Sequence, residues 1–87
     1  MKIKEGYAIK KLGAGYVVVT VGEASKDFNG LIRLNGVGAF LWNSIQDGAD
    51  TKEKLVETMV KSFEGLDEKT AKHDLEEFLE TIAFAIE

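Results

Sequence analysis

The single histidine, His73, and the acidic residues around it are the side chains that could perform acid–base chemistry. His73 precedes Asp74 inside a helical pattern, where a solvated or helix-pairing role is the simpler interpretation. One histidine makes neither a catalytic triad nor a histidine metal site. Glu76, Glu77 and Glu80 follow surface positions of the same helix, and no apolar pocket is evident that would adapt one of them to catalysis. This segment therefore indicates a solvated helix face.

Other motifs of catalysis and cofactor binding are also missing. The chain has no cysteine, which removes disulfides, thiolate metal ligands and cysteine nucleophiles. Gly13-Ala14-Gly15 precedes a predicted strand and opens no helix, so it is expected to be a turn and not a nucleotide-binding loop. Trp42 is interpreted as part of a core wall rather than as a platform on which a ligand stacks. The sequence predicts no enzyme, no cofactor and no metal.

Length and charge limit the remaining functions. The 87 residues suit one compact domain, residues 1–87, and no stretch approaches the ~20 apolar residues that span a bilayer. No signal peptide is evident, so a cytoplasmic location is expected. The net charge is −4, with acidic residues concentrated in the last third, which is a poor surface for nucleic acid.

The first third of the chain reads as strands. Tyr7 to Leu12 and Tyr16 to Val21 are expected to form a hairpin, with the second run central in the sheet because it is apolar on both alternating faces. A short third strand is expected within Phe28 to Leu34, most securely from Leu31 onwards.

Two helices are predicted to follow. Asn35 is the expected N-cap of the first, which Asp47-Gly48 closes. Asp50 is the expected N-cap of the second, in a capping box with Glu53, and Gly65 ends it. The predicted apolar face of this second helix consists of Leu55, Val56, Met59, Val60 and Phe63.

A third helix is predicted from its N-cap, Asp67, to the end of the chain. Its apolar stripe consists of Ala71, Leu75, Phe78, Leu79, Ile82, Ala83 and Ile86. Its outward face carries Lys69, Lys72, His73, Glu76, Glu77 and Glu80. Lys72 and Glu76 are four residues apart, a spacing that allows an ion pair on one helix face. Glu87 still falls in the helical pattern, so a last turn of this helix is expected to be missing. The element order predicts an α+β domain.

A series of short motifs begins where the third strand meets the first helix. The segments are Leu34-Asn35-Gly36-Val37-Gly38-Ala39-Phe40-Leu41-Trp42, Asp47-Gly48, Thr51-Lys52-Glu53-Lys54-Leu55 and Asp74-Leu75-Glu76-Glu77-Phe78-Leu79. They follow the pattern LN-x-x-GA-x-LW, DG, T-x-x-x-L and D-L/V-x-x-FL. Gly38 and Ala39 keep side-chain volume low where the helix is expected to pass close to a neighbour. In order and spacing this series resembles the PqqD-like family.

The resemblance implies a winged helix-turn-helix-like fold, with a three-stranded antiparallel sheet followed by three helices. It implies a non-catalytic chaperone that binds the leader segment of a ribosomally synthesised, post-translationally modified peptide and presents it to a modifying enzyme, such as a radical SAM protein. In the family the leader adds a strand to the third strand, in the cleft beside the third helix. The peptide-binding residues implied here are Phe28, Gly30, Leu31, Ile32, Arg33, Leu34, Lys72, Leu75, Glu76 and Leu79.

In this interpretation Arg33 and Lys72 would meet acidic leader residues. The exposed edge of the third strand also allows a monomer or a weak dimer. Two alternatives stay open: a docking or regulatory subunit of a modifying enzyme that binds no peptide, and a winged-helix DNA-binding protein, which the acidic third helix disfavours.

Overall fold

The computed structural model describes residues 1–21 and 32–87. Its strands are β1 (Tyr7–Leu12), β2 (Gly15–Thr20) and β3 (Ile32–Leu34), and its helices are α1 (Gly36–Gln46), α2 (Lys52–Ser62) and α3 (Glu68–Thr81), followed by a 3-10 turn (Ala83–Ala85). The predicted α+β fold, a three-stranded antiparallel sheet followed by three helices, is confirmed. The part of the third strand predicted before Ile32 lies outside the described residues.

The sheet has the order β1-β2-β3, with both pairs antiparallel, so the prediction that the second strand is central is confirmed. Val17 and Val18 are both buried, although consecutive strand residues point to opposite faces. Gly13 lies in the β1–β2 turn with a φ of 62°, a left-handed conformation that glycine adopts at little steric cost.

The core lies between one face of the sheet and the three helices. Its largest fully buried side chains are Trp42, Leu41, Leu55, Met59, Leu75, Ile82 and Val18. The interpretation of Trp42 as a core residue is therefore confirmed. Its buried Nε1–H has no hydrogen-bond acceptor in the described part of the chain.

The polar side chains at the helix starts explain why α1 and α3 begin where they do. The Gly38 amide donates to Asn35 Oδ1 at 2.8 Å, and the Thr70 amide donates to Asp67 Oδ1 at 2.7 Å, which confirms both predicted N-caps. The predicted close approach at Gly38 is also confirmed, because a Cβ there would lie 3.2 Å from the Cβ of Leu34.

The predicted start of α2 was wrong by one residue. Thr51, not Asp50, is the N-cap: its backbone is extended and its Oγ1 accepts from the Lys54 amide at 3.2 Å. Asp50 therefore lies one position before the cap. Its carboxylate accepts from Lys54 Nζ at 3.0 Å, and this hydrogen bond holds the pKa of Asp50 below its usual value.

The predicted apolar face and end of α2 also need correction. Val60 is 39% exposed, because the core contacts of this helix come from Leu55, Val56 and Met59. The helix ends at Ser62, before Gly65, because the backbone of Phe63 is extended and no longer follows the helix. Phe63 still packs, half-buried, edge-to-face on Phe40, with ring centroids 5.0 Å apart.

The prediction that the third helix runs to the end of the chain was wrong. α3 ends at Thr81, Ala83 is exposed, and Ile86 forms an antiparallel β-bridge with Ile3. The Lys4 amide donates to the Ala85 carbonyl and the Glu87 amide to the Lys2 carbonyl, each at 2.8 Å. The apolar spacing of residues 82–86 fits a helix equally well, but pairing with the N-terminal segment satisfies these backbone groups instead.

Candidate functional site

The hydrogen-bond pattern of the β1–β2 hairpin fixes which way the backbone groups of β2 point. The Val21 amide donates to the Gly6 carbonyl at 2.8 Å, just beyond the paired ends of the two strands. Antiparallel ladders alternate between hydrogen-bonded and non-hydrogen-bonded pairs, so the pair Lys10 and Val17, four residues along, is hydrogen-bonded as well. The N–H and C=O of Val17 therefore point toward β1.

This alternation determines the outer edge of the sheet. Val17 lies opposite Arg33 of β3, and since its backbone groups point toward β1, these two residues form a non-hydrogen-bonded pair. The N–H and C=O of Arg33 consequently point away from β2. In the described part of the chain no strand pairs with this side of β3, so Arg33 presents a donor and an acceptor on an open edge.

A cleft of about 250 Å³ opens between β3, the start of α1 and α3. Its lining residues are Arg33, Leu34, Asn35, Val37, Gly38, Leu41, Asp74, Glu77, Phe78 and Thr81. Leu34, Leu41 and Phe78 are largely buried and form an apolar floor, whereas Arg33 and Glu77 are exposed at the rim. The arrangement suits an extended chain that places apolar side chains inward and polar ones outward.

A second, larger groove of about 530 Å³ lies between α2 and α3. Its lining residues are Lys52, Glu53, Val56, Glu57, Val60, Lys61, Glu68, Lys72, Leu75 and Glu76. Ion pairs join Lys61 to Glu57 at 2.7 Å and Lys72 to Glu68 at 3.2 Å, and the hydrogen bond from Lys61 lowers the pKa of Glu57. Four of the seven charged side chains in this lining are therefore paired within their own helices.

The structure divides the predicted peptide-binding residues between these two features. Arg33 and Leu34 line the β3–α3 cleft, next to Ile32 on the strand. The α3 residues Lys72, Leu75 and Glu76 line the α2–α3 groove instead.

Three further predicted residues, Phe28, Gly30 and Leu31, lie outside the described residues. Leu79 is half-buried and packs against the core. The predicted pairing of Lys72 with Glu76 was wrong, because Lys72 Nζ contacts Glu68 one turn earlier.

Sequence reasoning missed the α3 residues that face the cleft. They are Asp74, Glu77, Phe78 and Thr81, whose spacing of three, four and seven residues marks one side of a helix. The α3 residues predicted from the sequence to bind the peptide have the same spacing but start two residues earlier, at Lys72. Phe78, Asp74 and Glu77 could be recognised in the sequence as one side of the helix. Which side faces the cleft depends on the rotation of α3 about its axis, and that rotation depends on its packing against α1 and α2.

The acid–base residues remain solvated. His73 and Glu77 are both about 70% exposed, with His73 Nε2 3.1 Å from Glu77 Oε1, and Glu76 and Glu80 are exposed as well, so the prediction of a solvated helix face is confirmed. In the described ranges no cluster of histidine, aspartate or glutamate has the geometry of a metal site. Nor does any helix there have the length and apolarity to cross a membrane.

Comparisons with known proteins agree with the sequence resemblance. Residues 15–83 match the family model of coenzyme PQQ synthesis protein D (PqqD). The fold is similar to the solved structure of TbiB1 in complex with the TbiA(beta) leader peptide, with a TM-score of 0.74 and 21% sequence identity over 97% of this chain and 90% of that one. No curated protein matches the chain. The family model spans most of the sequence, and the chain therefore belongs to the PqqD family.

Proposed function

We propose that this protein is a non-catalytic recognition element that binds the leader segment of a ribosomally synthesised, post-translationally modified peptide. The leader adds as a strand to the open edge of β3 and lies in the cleft against α3. The observation that carries this proposal is the position of Arg33, whose outward backbone groups lie directly beside an apolar-floored cleft.

The geometry supports a division of labour between backbone and side chains. Backbone hydrogen bonds to Arg33 provide affinity for any extended peptide, and the pocket above Leu34, Leu41 and Phe78 selects an apolar residue. Successive side chains of an added strand point to opposite sides. When one apolar side chain enters the pocket, the side chains on either side of it therefore lie near the rim of the cleft.

The binding residues we propose combine the sequence prediction with the cleft. Ile32, Arg33 and Leu34 form the described part of the strand edge. Phe28, Gly30 and Leu31, which lie outside the described residues, stay in the proposed set as the sequence prediction gave them. On α3, the lining of the cleft supports Asp74, Glu77, Phe78 and Thr81 over the predicted set of Lys72, Leu75, Glu76 and Leu79.

A solved structure of similar fold supports the same function. TbiB1, which shares this fold, has been solved with a leader peptide bound. Members of the PqqD family act beside enzymes that modify peptides, so we propose that this protein presents its leader to such an enzyme, for example a radical SAM protein. The lack of cysteine is compatible with work in a reducing cytoplasm.

A second candidate is a docking or regulatory subunit that contacts a modifying enzyme without holding a peptide. The α2–α3 groove favours it, because that groove is larger than the β3–α3 cleft and contains the exposed Val60. DNA binding is less compatible with the exposed acidic side chains of α3.

An amide NMR titration separates the two candidates. Leader segments of short peptides encoded beside the gene are added to the labelled domain, and shifted signals are mapped. Shifts concentrated in Ile32–Leu34 and in Asp74–Thr81 support leader binding. If no peptide shifts these signals, but a folded partner enzyme broadens those of Val56, Val60 and Lys72, the docking role replaces it.

A further inference from the structure

The two walls of the β3–α3 cleft carry different charges. The strand side contributes Arg33, and the helix side contributes Asp74 and Glu77. These acidic residues are three apart on α3, so both lie on the same side of the helix, about one turn from each other. The helix wall of the cleft is therefore acidic at Asp74 and Glu77, while Phe78 and Thr81 line its remainder.

Local partners leave much of this negative charge available. His73 pairs with Glu77 and offsets its charge only when the imidazole is protonated. In the described part of the chain, Asp74 takes part in no ion pair. Lys72 lies in the α2–α3 groove and pairs there with Glu68, so it does not neutralise the cleft wall.

A peptide strand on the edge of β3 would lie beside this acidic wall. A strand advances about 3.3 Å per residue, so the anchored apolar residue and its neighbours span the cleft opposite Asp74 and Glu77. A lysine or arginine beside the anchor has a long flexible stem that reaches the rim while its charge stays in water. An acidic residue at the same position would be repelled.

We infer that the leader peptide of this protein carries a lysine or arginine within one or two residues of its apolar anchor, and that Asp74 and Glu77 select it. This inference rests on the proposed function and specifies its substrate class. The sequence prediction had Arg33 and Lys72 meet acidic leader residues. Lys72 lines the α2–α3 groove, so of the two only Arg33, on the strand side, remains in this cleft for an acidic residue.

A displayed library of random dodecapeptides tests the inference, since it does not require the natural leader. The library is sorted against the wild-type domain, against Asp74→Asn/Glu77→Gln, and against the control Glu53→Gln/Glu76→Gln. The control removes the same charge from the α2–α3 groove, so it accounts for net charge alone. Circular dichroism confirms that all three proteins are folded.

We expect peptides selected by the wild type and the control to be enriched in lysine or arginine beside an apolar residue. Replacing that basic residue with glutamine should weaken binding to both proteins about two- to fivefold, as for an exposed charge pair, and should change binding to Asp74→Asn/Glu77→Gln little.

The outcomes separate this inference from the proposed function. Selected peptides that shift the Ile32–Leu34 amides but show no basic preference, or the same preference in Asp74→Asn/Glu77→Gln, would overturn the inference and leave leader binding intact. If no peptide is enriched on the wild type, the proposed function fails, and the inference fails with it.

Discussion

At the scale of single residues, two side chains of α2 have opposite environments. Leu55 is fully buried, whereas Val60, five residues later, is 39% exposed. Leu55→Ala should lower the free energy of unfolding by about 2–5 kcal/mol, since it leaves a cavity in the core. Val60→Ala should change it by less than about 0.5 kcal/mol. Chemical denaturation measures both, and similar losses would contradict the described packing of α2.

Asp67 makes a second residue-scale prediction, on acid stability. The amide of Thr70 donates to its carboxylate and holds the pKa of Asp67 below its usual value. The folded state therefore binds fewer protons than the unfolded state, so this stabilisation is present above about pH 4 and is lost as pH falls through the lowered pKa. Asp67→Asn cannot titrate.

The midpoint of thermal unfolding, followed from neutral to acidic pH, tests this prediction. The wild type should lose more stability on acidification than Asp67→Asn, and the two curves should converge at the acidic end. Parallel curves would show that the cap hydrogen bond does not favour the charged form.

The caps at Asn35 and Asp67 could be predicted because they depend on a few adjacent residues. The cleft-facing positions of α3 could not, because two stripes, one with Leu75 and one with Phe78, both contain apolar residues. Which stripe faces β3 depends on how α1 and α2 hold the helix, and this involves contacts distant in sequence.

At the scale of elements, the open edge of β3 should tolerate changes that remove its outward donor. Arg33→Pro removes an N–H that points away from β2, so the sheet ladder is retained. It should weaken leader binding more than Arg33→Ala, which removes the side chain alone. Isothermal titration calorimetry with a leader peptide compares them.

Ile32→Pro is the matched control for this pair. Ile32 lies opposite Val18 in a hydrogen-bonded position, so proline there removes an inward donor and should destabilise the sheet. If Arg33→Pro and Ile32→Pro lowered the free energy of unfolding equally, the assigned direction of the backbone groups would be contradicted.

The strands and helices themselves were largely predictable, because hydrophobic periodicity changes from two to 3.6 residues near Asn35. The end of α3 was not. Residues after Thr81 keep a helix-like apolar spacing, and only the N-terminal segment, more than eighty residues away in sequence, provides the strand partner of Ile86.

At the scale of the whole molecule, we propose that residues 1–87 fold as one domain. One cluster of buried residues draws on the sheet and all three helices, and β1 packs against it through Tyr7 and Ile9. The bridge between Ile3 and Ile86 joins the two ends of the chain to this unit.

A double-mutant cycle tests that connection. Ile3→Ala and Ile86→Ala should each reduce stability, and the double variant should lose less than their sum, with a coupling of about 0.5 kcal/mol or more. Ile3→Ala combined with Val60→Ala is the control and should be additive. Additive losses in both cycles would show that the two ends do not pair.

The central claim is that a leader peptide pairs with the outer edge of β3, and the hydrogen-exchange rate of the Arg33 amide tests it most directly. This amide points to the open edge, whereas those of Ile32 and Leu34 point toward β2 and serve as internal references. With a leader peptide bound, exchange at Arg33 should slow markedly relative to both references. Unchanged exchange at Arg33 in a saturated complex would show that the peptide binds elsewhere.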